Sequence, residues 1–274
     1  MEFNLDEKLN EHLDAVSVHF PKNEFFYIGL YGSQNYGLAT DKSDVDTKCM
    51  ILPTSREVIL GKPKTSTDVV IPSDGALCNV KDIREMFGNF FKGNINFVEI
   101  LYTEWALENL HYLDEIQALR DFRDEIATRN IPNLFAMAAG MARQKYVAFE
   151  KPFESKLEVL AKYGYDPKQL HHLVRLYHFL EDFVDSENFK VALHPTGATK
   201  ELLINLKADP LPYDKAKAMR EQFMFNIDEF VKEKSKQFAL PTDAQAKKDE
   251  NVKEFLDNLA YKVIAKAMAR EQLR

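Results

Sequence analysis

Cysteine is nearly absent from this 274-residue chain: Cys49 and Cys78 are the only two. That excludes a disulfide framework, and the seven histidines show no zinc-ligand spacing with them. Both cysteines fall in strand-like segments, where a small apolar side chain packs. No apolar stretch approaches the roughly 20 residues a membrane helix needs, so no membrane partner is expected. The first residues, Met1-Glu2-Phe3-Asn4-Leu5-Asp6, lack the basic and apolar segments of a secretion signal. These absences together lead to the expectation of a reducing, cytoplasmic location. Positive charge is also short: the formal net charge is −7. A broad basic surface for tracking along nucleic acid is therefore not expected, although a local basic patch remains compatible with that balance.

Glycine is scarce in one half only. Seven of the ten glycines lie at or before Gly93, and the same half carries strand-like runs at 25–31, 46–52, 68–71 and 76–80. After Gly93 the apolar residues recur at spacings of three and four. This predicts helices over 104–122, 133–149, 168–183, 213–238 and 251–273. Residues 189–194 read as a strand or extended link, 199–206 as a short helix, and the charged, proline-marked stretch 240–251 as a mobile linker. The expected architecture is an α+β core over residues 1–103 followed by a helical domain over 104–274. With 45% hydrophobic residues the chain has ample apolar material for both.

The most informative stretch lies at the end of the first apolar run. Phe25–Tyr31 gives way to Gly32-Ser33, ten residues follow, and Asp44-Val45-Asp46 opens the second strand. Residues two apart on a strand share a face, so Asp44 and Asp46 would stand side by side. Like charges at that spacing raise each other's pKa unless a cation lies between them, which points to a divalent metal held by Asp44 and Asp46. The Gly-Ser turn, with a short helix expected after it, would offer backbone N–H groups and a hydroxyl to phosphate. A phosphate cradle beside a metal pair reads as nucleotide chemistry.

This order of elements resembles the nucleotidyltransferases of the DNA polymerase β superfamily, whose signature is a Gly-Ser turn followed by an Asp-x-Asp strand. The fuller string Gly32-Ser33…Tyr36-Gly37-Leu38…Ser43-Asp44-Val45-Asp46 is similar to stand-alone bacterial and phage nucleotidyltransferases, some associated with RNA repair. Further matches are Asp82-Ile83-Arg84, Gly93-Asn94…Phe97…Glu99…Leu101 and Gly164-Tyr165-Asp166-Pro167-Lys168…His172…Arg175. The resemblance implies transfer of a nucleoside monophosphate from an NTP to a hydroxyl acceptor, an RNA 3′ end or a protein or small molecule. Mg²⁺, or Mn²⁺ in its place, would be the cofactor. It also implies that Gly32 and Ser33 hold the β- and γ-phosphates, and that Lys168, His172 and Arg175 contact the triphosphate or the acceptor strand. Those three residues, with Phe179, fall on one face of the 168–183 helix, opposite Leu170, Leu173, Val174, Tyr177 and Leu180. Tyr36 would serve the site by stacking or simply close the turn, and Glu99 would pair with an arginine such as Arg84.

One element departs from the resemblance. The superfamily's third carboxylate would fall on Leu77 or Asn79, neither of them an acid. Asp82 is the expected catalytic substitute, with Asp74 or the Asn79 carbonyl as other candidates and a helix cap as the competing role for Asp82. A different class of function, a nucleotide-binding regulator or antitoxin-like module without turnover, keeps every feature except a complete triad.

Overall fold

The computed structural model describes residues 4–40 and 43–273. Residues 41 and 42, within the Gly-Ser to Asp-x-Asp stretch, lie outside the described residues. In chain order the elements begin with α1 (Leu5–His19), β1 (Phe25–Tyr31), β2 (Asp46–Ile51), α2 (Ser55–Ile59), β3 (Ser66–Val70) and β4 (Leu77–Asp82). There follow α3 (Ile83–Phe91), α4 (Ile95–Val98), β5 (Ala106–Glu108), α5 (Leu113–Asp121), α6 (Arg123–Ala127) and α7 (Ile131–Ala148). The chain ends with α8 (Leu157–Tyr163), α9 (Pro167–Ser186), α10 (Phe189–Leu193), α11 (Gly197–Ala208), α12 (Tyr213–Gln237) and α13 (Thr242–Glu271). The class is α+β. No helix among the described residues is long and apolar enough to cross a membrane.

The chain forms two compact units. The first comprises residues 1–36, 41–129 and 242–274, the second residues 37–40 and 130–241. The expected boundary at residue 103 is thus not where packing divides the chain: α5, α6 and the C-terminal α13 all belong with the sheet.

In the first unit five strands lie in the order β3-β4-β2-β1-β5. β1 pairs antiparallel with β2 and β5, β4 pairs antiparallel with β3, and β2 and β4 run parallel. β1 and β2 are central and almost wholly buried, which is why both read as continuous apolar runs rather than alternating ones. One face packs Ile28, Cys49, Ile51, Val69, Cys78 and Val80 with Val16 of α1. α1 is further fixed by His12 Nδ1 against the Thr47 hydroxyl at 2.8 Å. The predicted 104–122 helix begins only at Leu113; its first part is the edge strand β5, drawn into the sheet by pairing with Tyr27, Ile28 and Gly29. Residues 242–251, expected as a linker, are the first turns of α13. Asp249 there pairs with Arg129, and Gln245 and Lys248 donate to the carbonyls of Arg129 and Thr128 at 3.0 and 2.7 Å. Phe255 stacks on Phe122 and Lys266 reaches Glu115, holding the rest of the helix.

In the second unit α9 is the hub, with α7, α10, α11 and α12 packed around it. Phe135 meets Phe183, Phe230 and Phe238 edge-on, and Phe179 meets Phe183 and Phe189. α9 is therefore buried on several sides, not amphipathic with one solvated face as its spacing suggested. Arg175 and Phe179 are only 5% and 1% exposed. Residues 189–194, read as a strand or link, form α10, whose Asn188 cap accepts from the Val191 N–H.

Candidate functional site

β1 ends at Tyr31, and Gly32 turns the chain with φ +77°, a left-handed conformation that only glycine adopts without strain. Residues 32–37 form a succession of turns, closed by Tyr36 N–H on the Gly32 carbonyl at 3.1 Å. The expected short helix is absent there, so any anion at this turn would meet local N–H groups and no helix dipole. The Gly32 N–H itself is engaged. It donates to Glu99 Oε2 at 3.3 Å, while Asn35 Nδ2 donates to the Glu99 carbonyl at 3.4 Å. Glu99 thus fastens the turn instead of pairing with Arg84 as expected, and its second oxygen, Oε1, is buried without a partner. Ser33 is half-exposed. Tyr36, at 4% exposure, closes the turn against the core and presents no open ring face.

Antiparallel register carries the second half of the motif to the first. Asp46 pairs with Tyr31, the residue just before Gly32. Val45 is buried, while Asp44, just before β2, is exposed and Asp46, the first residue of β2, is half-exposed. Asp46 Oδ1 accepts from the Leu77 N–H at 3.2 Å, tying the carboxylate to β4.

The face that carries Asp46 is unusually charged for a buried sheet. Lys48 follows two residues on, aligned with Asn79 of β4, which is in turn aligned with Asp68 of β3. Asn79 Nδ2 donates to Asp68 Oδ1 at 2.7 Å. Lys48 is 4% exposed, its ammonium 2.9 Å from the centre of the Tyr31 ring and 5.3 Å from that of Phe97. Burial lowers its pKa from 10.5 to about 8, against the opposing pull of Glu99, Asp46 and Asp68. The Tyr31 hydroxyl is pushed up by burial and then by the same three carboxylates. Lys81, also on this face, donates to Ser66 Oγ at 2.5 Å and lies 5.2 Å from the Phe97 ring centre.

Asp82 is not brought to this group. It sits at the far end of β4, opposite Ile51, while Asp46 begins β2. Five residues of parallel strand separate the two by roughly 16 Å at about 3.3 Å per residue, and odd spacing turns Asp82 to the opposite face. Its carboxylate caps α3 through the Arg84 N–H at 2.8 Å and pairs with the Arg84 guanidinium at 2.5 Å. The cap role explains this residue fully. Asp74 is likewise occupied, by Lys8 at 2.7 Å and by the Ala76 N–H at 3.0 Å.

The second unit gathers its own cations. Lys145 of α7 is pushed below the usual lysine range by burial and by the positive charges of Arg175 and Lys168. His172 is held well below 6.5 by burial, His171 and the Arg175, Lys145 and Lys168 charges. Lys168, His172 and Arg175 are therefore together as expected, joined by Lys145. Asp166 opposes this at Lys145, pulling its pKa back up. Mutual repulsion among partly buried cations is a standing cost that an anion relieves.

Asp68 and Lys48 were missed in the sequence reading. A symmetry signal was available for Asp68: pairing outward from the turn that contains Asp74-Gly75 aligns Val70 with Leu77, Val69 with Cys78 and Asp68 with Asn79. Compared with known proteins, the chain matches no family model and no curated sequence.

Proposed function

We infer that the chain is a divalent-metal-dependent nucleotidyltransferase. The observation that carries this reading is the β1–β2 register, with Asp46 beside the end of the strand that runs into Gly32-Ser33. In the reaction, an acceptor hydroxyl oxygen bonds to the α-phosphorus of an NTP and the α–β phosphoanhydride bond breaks. Pyrophosphate leaves and the hydroxyl proton is lost to solvent or base. Asp44 and Asp46 offer hard oxygen donors at the exposed start of β2, and the orphaned buried oxygen of Glu99 belongs to the residue that fastens the adjoining turn. This donor set fits Mg²⁺ or Mn²⁺. Such an ion, when bound, lowers the acceptor hydroxyl's pKa and neutralises the departing pyrophosphate. Ser33 holds phosphate oxygen through its hydroxyl, with the turn kept in place by Glu99. Within the second unit, Lys145, Lys168, His172 and Arg175 form a cluster suited to charge-assisted hydrogen bonds with phosphate. The acceptor is an RNA 3′ end, a protein hydroxyl or a small molecule.

The test is transfer of label from α-³²P NTPs, offered one at a time with RNA and with protein, by wild type and by Asp44→Asn/Asp46→Asn. Loss of transfer in the double variant, with circular dichroism unchanged, is expected. Transfer that survives it would overturn the assignment. A second reading, a nucleotide-binding regulator without turnover, draws on one observation: β4 offers Asn79 where an acid would complete the triad. Binding of NTP and metal with no pyrophosphate released to any acceptor would favour it.

A further inference from the structure

Asn79 is held in one orientation. Its Nδ2 donates to Asp68 Oδ1 at 2.7 Å, and because a carboxylate only accepts, the amide cannot be turned the other way. The carbonyl oxygen Oδ1 must therefore point away from β3. It is buried and makes no hydrogen bond. An acceptor left unmet in the interior is destabilising. Lys48, its register neighbour, does not answer it, since that ammonium lies over the Tyr31 ring and forms no hydrogen bond.

A second orphan lies on the same side of the unit. Glu99 is fully buried, spends Oε2 on the Gly32 N–H and leaves Oε1 without a donor. Asp46, Asp68 and Glu99 are the carboxylates that act on the buried Lys48. Two buried acceptor oxygens without donors, beside carboxylates, call for a cation.

We propose that Asp68 and Asn79 act as one unit replacing the third carboxylate: the Asn79 carbonyl is a protein oxygen for the ion held by Asp44 and Asp46, and Asp68 is the positioning residue. The acid has moved one strand outward and acts through the amide it fixes. This rests on the metal-site reading above and names a further ligand for it.

The test measures Mn²⁺ alone, by loss of the free-ion electron paramagnetic resonance signal, with no nucleotide present. Asn79→Leu and Asp68→Leu are each expected to weaken Mn²⁺ binding by about 10–100-fold, the range for losing a ligand's supporting contact. The exchange Asp68→Asn/Asn79→Asp keeps the hydrogen bond with its direction reversed and moves the acid to β4. It should bind Mn²⁺ at least as tightly as wild type, and it guards against single variants that merely unfold. If Asp44→Asn/Asp46→Asn abolishes Mn²⁺ binding while folded Asn79→Leu and the exchange both match wild type, this proposal fails and the metal site stands. If the double asparagine variant binds as wild type does, or wild type binds no Mn²⁺, the metal reading fails and takes the proposal with it.

Discussion

Lowering the pH from 7.5 to 5 should cost the second unit about 2 kcal/mol through one side chain, His171. This residue is 2% exposed on α9, and Nδ1 lies 2.9 Å from the Leu203 carbonyl. A carbonyl only accepts, so Nδ1 carries the proton and the neutral ring leaves Nε2 bare. Burial, with help from the Arg175, Lys207 and Lys168 charges, lowers its pKa from 6.5 to about 3, despite the opposing hydrogen bond to Leu203. The sign follows directly. Below pH 6.5 the unfolded chain takes up a proton that the folded chain refuses, so stability is full above 6.5 and drains away toward 3. At pH 5 the drain has run about 1.5 pH units, worth about 2 kcal/mol at 1.36 per unit. That value holds wherever the folded pKa lies, provided it is well below 5. The assay is urea unfolding at both pH values for wild type and His171→Asn, whose amide nitrogen takes the place of Nδ1 without titrating. Trp105, the single tryptophan, lies in the first unit, so its fluorescence separates that unit's transition from the helical signal of the second. Wild type should lose about 2 kcal/mol more than the variant. His172 is present in both proteins and cancels. Equal acid losses in the two would refute the reasoning.

Three further outcomes follow from the same geometry. Asp82→Asn should preserve the α3 cap, lose the Arg84 pair at a cost of about 1–2 kcal/mol, and leave turnover unchanged; a hundredfold fall in turnover would restore Asp82 to the site. In chelator, wild type should gain about 2 kcal/mol relative to Lys48→Met between pH 7.5 and 9.5 in denaturant titrations. The sign is set because a folded pKa near 8 lies below the ordinary 10.5, so the unfolded chain holds more protons across that window. Lys168→Ala should weaken pyrophosphate binding by about 1–3 kcal/mol in calorimetry with little loss of stability. Arg175→Ala should lose both, because its side chain is buried among the helices of its unit.

Burial decided what could be read from the sequence. β1 and β2 are almost wholly buried and were legible as strands, and their connection by Gly32-Ser33 and Asp44-Val45-Asp46 was legible as a candidate site in outline. α9 was misread for a physical reason: periodicity scores Arg175 as polar, yet its aliphatic stem buries readily, and a helix surrounded by neighbours has no solvated stripe to display. The start of α13 looked like a linker because its polar residues are spent on contacts with Arg129 and Thr128, more than 100 positions earlier. Glu99 and Gly32 meet across 67 residues, a separation no local pattern reports. Asp68 was within reach through the symmetry of the β3–β4 hairpin.

The insertion of residues 130–241 between α6 and α13 has a consequence for the order of folding. α13 docks beside Arg129 only after an intervening stretch of 112 residues, 130 through 241, has been closed into a loop. For a flexible chain the length-dependent part of that closure costs about 4 kcal/mol of entropy. The inserted stretch removes most of it by itself. Phe135 and Phe238, near its two ends, meet at 5.7 Å within their own unit, so a second unit that folds first delivers both ends together. α13 then closes a short gap instead of a long one. Assembly that began with the sheet would leave β1–β5 waiting on their last helix, with the α3 and α5 surfaces uncovered and prone to association.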